Sequence, residues 1–196
     1  MVKRNIEFIK GEYYHIYNRG CNKEDIFYKP TNYSYLMGLM EKCLEPFQVS
    51  TIAFCLMPNH YHFLLRQNSD ISISNFIQSV FNSYTKAFNK MFGRTGTLFE
   101  GPYKAIHIDN HNYLIHLCRY LHRNPIDSGL VDDLLNWKYS NYLEWIGQRN
   151  SLLVDLEFVK NNFRNPEEYI KFVSDYISPN TFDSDLKKYI IKSDSL

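Results

Sequence analysis

His60 and His62 stand in the stretch Met57-Pro58-Asn59-His60-Tyr61-His62, with an apolar run from Thr51 to Leu56 before it and Phe63-Leu64-Leu65 after it. Pro58-Asn59 is a turn signal, so the flanking runs read as the two strands of a hairpin. Strand side chains alternate between faces. His60 and His62 therefore share one face, about 7 Å apart along the strand, while Tyr61 and Phe63 share the other. Two imidazoles so spaced could hold one metal ion or clamp one phosphate; two solvated histidines on an exposed strand face would give the same pattern. Farther along, Tyr120 and Asn124 lie four apart, on one side of a helix and beside its apolar stripe. Taken singly, Tyr120 also suits a core boundary and Asn124 a helix C-cap before Pro125.

The elements that must carry these residues are legible. Tyr13 to Asn18 is rich in β-formers and reads as a first strand, closed by the loop Arg19-Gly20-Cys21-Asn22. Thr31 or Asn32 caps a helix to about Cys43, with Tyr35, Leu36, Leu39, Met40 and Leu44 as its buried stripe and Pro46 as its end. The hairpin follows. Ser72 or Ser74 then opens a long helix with Phe76, Ile77, Val80, Phe81, Tyr84, Ala87, Phe88 and Met91 at helical spacing. Its other side carries Gln78, Asn82, Thr85, Lys86, Asn89 and Lys90. Tyr103 to Ile108 reads as a fourth strand. The order strand, helix, strand, strand, helix, strand predicts an α+β fold of the ferredoxin-like, split βαβ kind: an antiparallel sheet with helices on one face and the other face open. One more helix follows, capped by Asp109 or Asn110, striped by Leu114, Leu117, Cys118 and Leu121, and bounded by Pro125.

Composition limits the function classes. A chain of 196 residues with 44% hydrophobic and 16% aromatic content supports one domain with an appendage, and argues against global disorder. The formal net charge is only +1, which excludes bulk polyanion binding, but its distribution is uneven. Lys86, Lys90, Arg94, Lys104, Arg119 and Arg123 face only Glu100 and Asp109 between residues 86 and 123, whereas residues 151–196 are mildly acidic. A basic centre with an acidic tail suits a nucleic-acid groove, and equally a solvated helix face. The cysteines (Cys21, Cys43, Cys55, Cys118) show no zinc-ribbon spacing, and Cys55 and Cys118 read as buried thiols. Gly93-Arg94-Thr95-Gly96-Thr97 lacks the G-K-[ST] ending of a P-loop. The N-terminal segment is not a secretory signal and no run approaches the ~20 apolar residues of a membrane span, so a cytoplasmic, nucleoid-associated protein is expected.

Taken in order, the motifs resemble a known family. Tyr14-His15-Ile16-Tyr17-Asn18-Arg19-Gly20, Met57 to Leu65, Gly93 to Gly101, Tyr120-Leu121-His122-Arg123-Asn124-Pro125 with Gly129-Leu130-Val131, and the aromatic segments Trp137 to Tyr142 and Trp145-Ile146-Gly147 resemble the single-tyrosine HUH transposases, most closely the REP-associated tyrosine transposases. The resemblance runs from about residue 12 to 147. It implies that His60, His62 and Asn124 are ligands of Mg²⁺ or Mn²⁺ and that Tyr120 is the nucleophile. A cation would withdraw charge from a scissile phosphodiester, and a tyrosine of ordinary pKa, about 10, needs activation by the ion or a neighbouring base. The implied reaction leaves a 5′-phosphotyrosyl link and a free 3′-hydroxyl, conserving bond energy for rejoining without ATP.

The implied substrate is single-stranded DNA near a foldback hairpin. Arg19, Lys86, Lys90, Arg94, Lys104, Arg119 and Arg123 are the candidate DNA contacts, through phosphate and base edges. Pro102 departs from the family, which usually carries arginine there, and Lys104 is a possible substitute. The division expected is a catalytic region over 1–150 and a helical extension over 151–196, the latter built on Phe163, Tyr169, Phe172, Val173, Tyr176 and Ile177 behind the capping start Asn165-Pro166-Glu167-Glu168. Both a monomer and a homodimer are compatible with the resemblance. Two rival readings remain at this stage: a hairpin-binding module without catalysis, and a metal-dependent nuclease in which water attacks.

Overall fold

The computed structural model describes residues 6–176; Ile177 and the remainder of the expected extension lie outside them. Strand β1 (Tyr13–Arg19), helix α1 (Pro30–Phe47), the hairpin of β2 (Val49–Met57) and β3 (His60–Gln67), helix α2 (Ile73–Phe92) and strand β4 (Lys104–Ile108) follow one another as expected. The sheet order is β2-β3-β1-β4 with every pair antiparallel, which is the ferredoxin-like arrangement of an α+β protein.

Period-two alternation sorts the sheet into two faces. On one, Tyr14, Ile16, Phe54, Tyr61 and Phe63 pack with Leu36 and Met40 of α1 and with Phe76, Val80 and Tyr84 of α2. Ser72 caps α2 through its hydroxyl, as expected. The helix stripes differ in detail: Tyr35 and Met91 are 45% and 58% exposed, and Tyr33 is buried in place of Tyr35. Helix α1 also runs on through Pro46 to Phe47. The proline has no N–H to give to the carbonyl one turn back, so one ladder bond is lost within the last turn.

The second face, expected open, carries further structure. Helix α3 (His111–Asp127), helix α4 (Tyr142–Trp145), α5 (Leu156–Asn162) and α6 (Pro166–Ser174) build a second apolar cluster there with Ile52, Ala53 and Leu64. Asn110 caps α3 and Asn165 caps α6, each through its amide oxygen, at 2.9 Å. The expected extension thus folds onto the core, with Tyr169 wholly buried.

A bulge in β2 makes this docking possible. The register with β3 slips between Thr51 and Ala53, so the consecutive Ile52 and Ala53 both join the second cluster. The Ile52 carbonyl instead accepts hydrogen bonds from Asn141 Nδ2 (2.9 Å) and Trp145 Nε1 (3.0 Å). Asn141 Nδ2 also donates to the Leu153 carbonyl at 3.0 Å, and its Oδ1 accepts from the Phe54 amide at 2.8 Å. Asn141 is fully buried. Replacing it by alanine strands several buried partners at once, so Asn141→Ala should lower stability by about 2–4 kcal/mol, whereas Trp145→Phe, losing one bond, should cost about 1–2 kcal/mol. Urea unfolding midpoints of the two variants check both the size and the order.

Candidate active site

His62 is on β3, between Tyr17 of β1 and Cys55 of β2, and is buried to 1% exposure; His60 opens the same strand opposite Met57 and Arg19 and is half-buried. The two rings lie 5.1 Å apart, nearly perpendicular. Helix α3 lays Tyr120 over this pair, with its ring 6.1 Å from that of His62 in an edge-on arrangement. One turn later Asn124 donates from Nδ2 to the Tyr120 carbonyl at 3.1 Å, which commits the amide nitrogen to the helix and leaves the oxygen as the atom able to bind a cation. Both residues are buried, at 6% and 8%. Strand parity and the helix thus bring Tyr120 to the histidine pair, with Asn124 one turn farther along the same helix. Asn124 is not the C-cap of α3, which continues through Pro125 to Asp127.

Burial also fixes the charge of the imidazoles. Desolvation lowers the pKa of His60 to about 4 and that of His62 well below the ordinary value, with His60 and His15 adding repulsion at His62. Both rings are neutral at neutral pH, the form in which histidine binds metals. Asn59 Nδ2 donates to the Lys23 carbonyl (3.2 Å), so its Oδ1 accepts from His60 Nδ1 at 2.7 Å, and Nε2 is the ring nitrogen left bare. Among the described residues no three His, Cys, Asp or Glu side chains gather as a metal cluster; the Asn124 amide oxygen is a group of another type able to bind a cation. Hard oxygen with neutral imidazole suits Mg²⁺ or Mn²⁺.

The cationic candidates divide. Lys86, Lys90 and Lys104 are exposed, Lys104 with its ammonium 5.7 Å over the Tyr17 ring. Arg94 donates to Tyr28 Oη (2.8 Å) and stands 3.6 Å from Glu24. Arg19 forks onto Glu100, Nη2 to Oε1 at 2.9 Å, and so ties the end of β1 to the loop before β4. Arg119 and Arg123, the remaining candidates, are engaged with α6. Arg119 is 7% exposed, donates to the Phe172 carbonyl at 3.1 Å, and lies 4.3 Å over the Phe172 ring. Arg123 donates to the Val173 carbonyl (3.2 Å) and to Asp127 (2.9 Å), and stacks 4.4 Å over Tyr176. On a helix the 119/123 stripe is rotated about 100° from the 120/124 stripe; one holds α6, the other meets the sheet.

Two further buried histidines complete the surroundings. His122 is buried, its Nε2 donating to Asn141 Oδ1 at 2.9 Å and its Nδ1 accepting from Tyr169 Oη at 2.6 Å. His15 lies with Nε2 3.0 Å from His62 Nδ1. Strand parity alone puts His15 and Tyr17 together on one face of β1, but not beside His62.

A family model for IS200-like transposases matches residues 9–124, more than half of the chain, and takes in His60, His62, Tyr120 and Asn124. The chain belongs to the IS200-like transposase family. Transposition of DNA is that family's activity, and the HUH histidine pair is at home in it. No curated protein matches the chain. Among solved structures, a REP-associated tyrosine transposase bound to a REP hairpin is similar at TM-score 0.62 and 17% identity, over 79% of this chain and 94% of the other, which establishes the shared fold. A proposed transposase from Deinococcus radiodurans is similar at only 0.43, with 14% identity over 66% and 95% of the two chains. No helix among the described residues is long and apolar enough to cross a membrane.

The buried histidines of this transposase make its stability depend on pH. His122 is lowered to about 4 and His15 to about 3 by desolvation. In the unfolded chain such groups take up protons near pH 6.5, so below that pH the unfolded state binds more protons than the folded one. Stability is full above about pH 6.5 and is lost as pH falls from there toward 4. Urea midpoints measured at intervals from pH 8 to 4 should be level at first and then decline.

Proposed function

We propose that this transposase cleaves and rejoins single-stranded DNA beside a foldback hairpin, with Tyr120 as the nucleophile. The observation that carries the reading is the approach of Tyr120 to the neutral His60–His62 pair, the rings of Tyr120 and His62 lying 6.1 Å apart within one chain. His60, His62 and Asn124 fit a Mg²⁺ or Mn²⁺ ion, which would draw charge from the scissile phosphate. Tyr120 Oη bonds to phosphorus as the bond to the 3′ oxygen breaks, the phenolic proton is lost, and the 3′ oxygen leaves as a hydroxyl. The covalent 5′-phosphotyrosine keeps the phosphodiester energy for attack by another 3′-hydroxyl. Arg119 and Arg123 act behind the helix, holding α6 against it, and so restrict where Tyr120 can go.

The similar transposase bound to a REP hairpin supports a hairpin as the partner here. Lys86, Lys90 and Lys104, exposed and free to meet phosphate, are the candidate backbone contacts. Histidine pair and tyrosine coming from one chain supports a site complete in a monomer. Residues 1–150 then form the catalytic region, and the extension, as far as residue 176, is its brace.

Labelled single-stranded hairpin oligonucleotides taken from the repeats flanking its own gene, incubated with Mn²⁺ or Mg²⁺ and run on a denaturing gel, test this. A metal-dependent covalent protein–DNA band is expected. Tyr120→Phe should remove the band and lower cleavage by roughly 10⁴-fold or more, with hairpin affinity kept. Cleavage without an adduct would show that water attacks instead, and binding without cleavage would show a recognition module.

A further inference from the structure

His15 is completely buried in the middle of β1, where an apolar ring would pack without polar cost. Its ring stacks on Tyr17 at 4.9 Å and on His62 at 5.2 Å between centroids. Strand register makes the closeness inevitable: His15 pairs with Leu64 and Tyr17 with His62, so His15 and His62 are diagonal neighbours on one face of adjacent strands. His15 Nε2 and His62 Nδ1 are 3.0 Å apart, while His15 Nδ1 is buried with no hydrogen-bond partner. A histidine that leaves one nitrogen orphaned in a core is costly, and its other nitrogen is spent wholly on His62.

One proton lies between two neutral imidazoles, and which ring owns it decides what His62 can do. Were His15 the donor, His62 would carry its own proton on Nε2 and that nitrogen could bind nothing positive. With His62 as donor, Nε2 is bare. The His60 ring already shows the second pattern, since Asn59 Oδ1 accepts from its Nδ1. We propose that His15 is a positioning residue for the histidine pair: it accepts the Nδ1–H of His62, and thereby orients that ring and keeps Nε2 bare toward a divalent cation. Metal-binding histidines are commonly held in this way through their second nitrogen. The inference rests on the reading of His60 and His62 as ligands, and its test separates the two.

The probe is Mn²⁺ alone, without DNA, with free Mn²⁺ followed by electron paramagnetic resonance. The tautomer of His62 is read separately from long-range ¹H–¹⁵N correlations in the metal-free protein. His62→Ala should lose Mn²⁺ binding; if it binds like wild type, the ligand reading fails and the proposal with it. With that established, His15→Phe keeps an aromatic ring and removes the acceptor, and should weaken Mn²⁺ by about 10–100-fold, with the melting temperature showing that the variant stays folded. His15→Gln returns an acceptor near the place of Nε2 and should recover most of the affinity. Wild-type His62 should show its proton on Nδ1. A His62 proton found on Nε2, or His15→Phe and His15→Gln both binding Mn²⁺ like wild type, would overturn the positioning role and leave the ligands standing.

Discussion

The carbonyl of Ile52, at the bulge of the edge strand β2, is the point on which the second half of the molecule hangs. Asn141 and Trp145 both donate to it. A buried carbonyl without partners would cost on the order of 1–3 kcal/mol, so the bulge demands donors from outside the sheet. Asn141 answers and uses its remaining capacity on Phe54, Leu153 and His122. In one amide, strand β2, the chain entering α5 and the helix carrying Tyr120 are joined. A shift of α3 over the sheet would have to break His122 from Asn141, and the distance of Tyr120 from His62 is held by that bond as well as by apolar packing.

The site depends on low polarity as much as on its ligand types. An exposed H-x-H pair would titrate near pH 6.5 and would lose its affinity for cations in mild acid. Here burial keeps the imidazoles neutral. Nearby side chains settle the remaining freedom: Asn59 holds His60, and Asn124 is held by its own helix. A cation held by such uncharged groups would keep its full charge for a phosphate.

Much of this was legible from residue spacing. Parity on β3 put His60 and His62 on one face, helical spacing put Tyr120 beside Asn124, and turn and cap residues marked the strands and most helix starts. Where the reading failed, nonlocal packing was the cause. Arg119 and Arg123 looked solvent-facing because basic residues on a helix usually are; the aromatic rings that cover them, Phe172 and Tyr176, come from about 50 residues later. Pro46 and Pro125 looked like helix ends, yet α1 and α3 each run one or two residues past the proline, giving up one ladder bond there. The open second face was expected because the split βαβ pattern accounts for one face only, and a bulge that invites a second layer leaves no mark in composition. His15 sat in a motif in plain view, but its partner follows from β1 lying next to β3, which strand periodicity does not specify.

The use of arginine to hold the extension is itself physically reasoned. A nucleophile must be placed to within a fraction of an ångström, and α3 meets the sheet along one side only. Its outer side would otherwise face water. Arg119 and Arg123, one turn apart, reach consecutive carbonyls near the end of α6 at 3.1 and 3.2 Å while stacking on Phe172 and Tyr176. The last carbonyls of a helix lack intrahelical donors and carry the negative end of its dipole, so two guanidinium groups satisfy both needs at once. Lysines there would supply charge without the planar fork or the stacking. The basic residues of α3 are thus engaged with α6, and the exposed positive charge nearby is that of the lysines of α2 and β4.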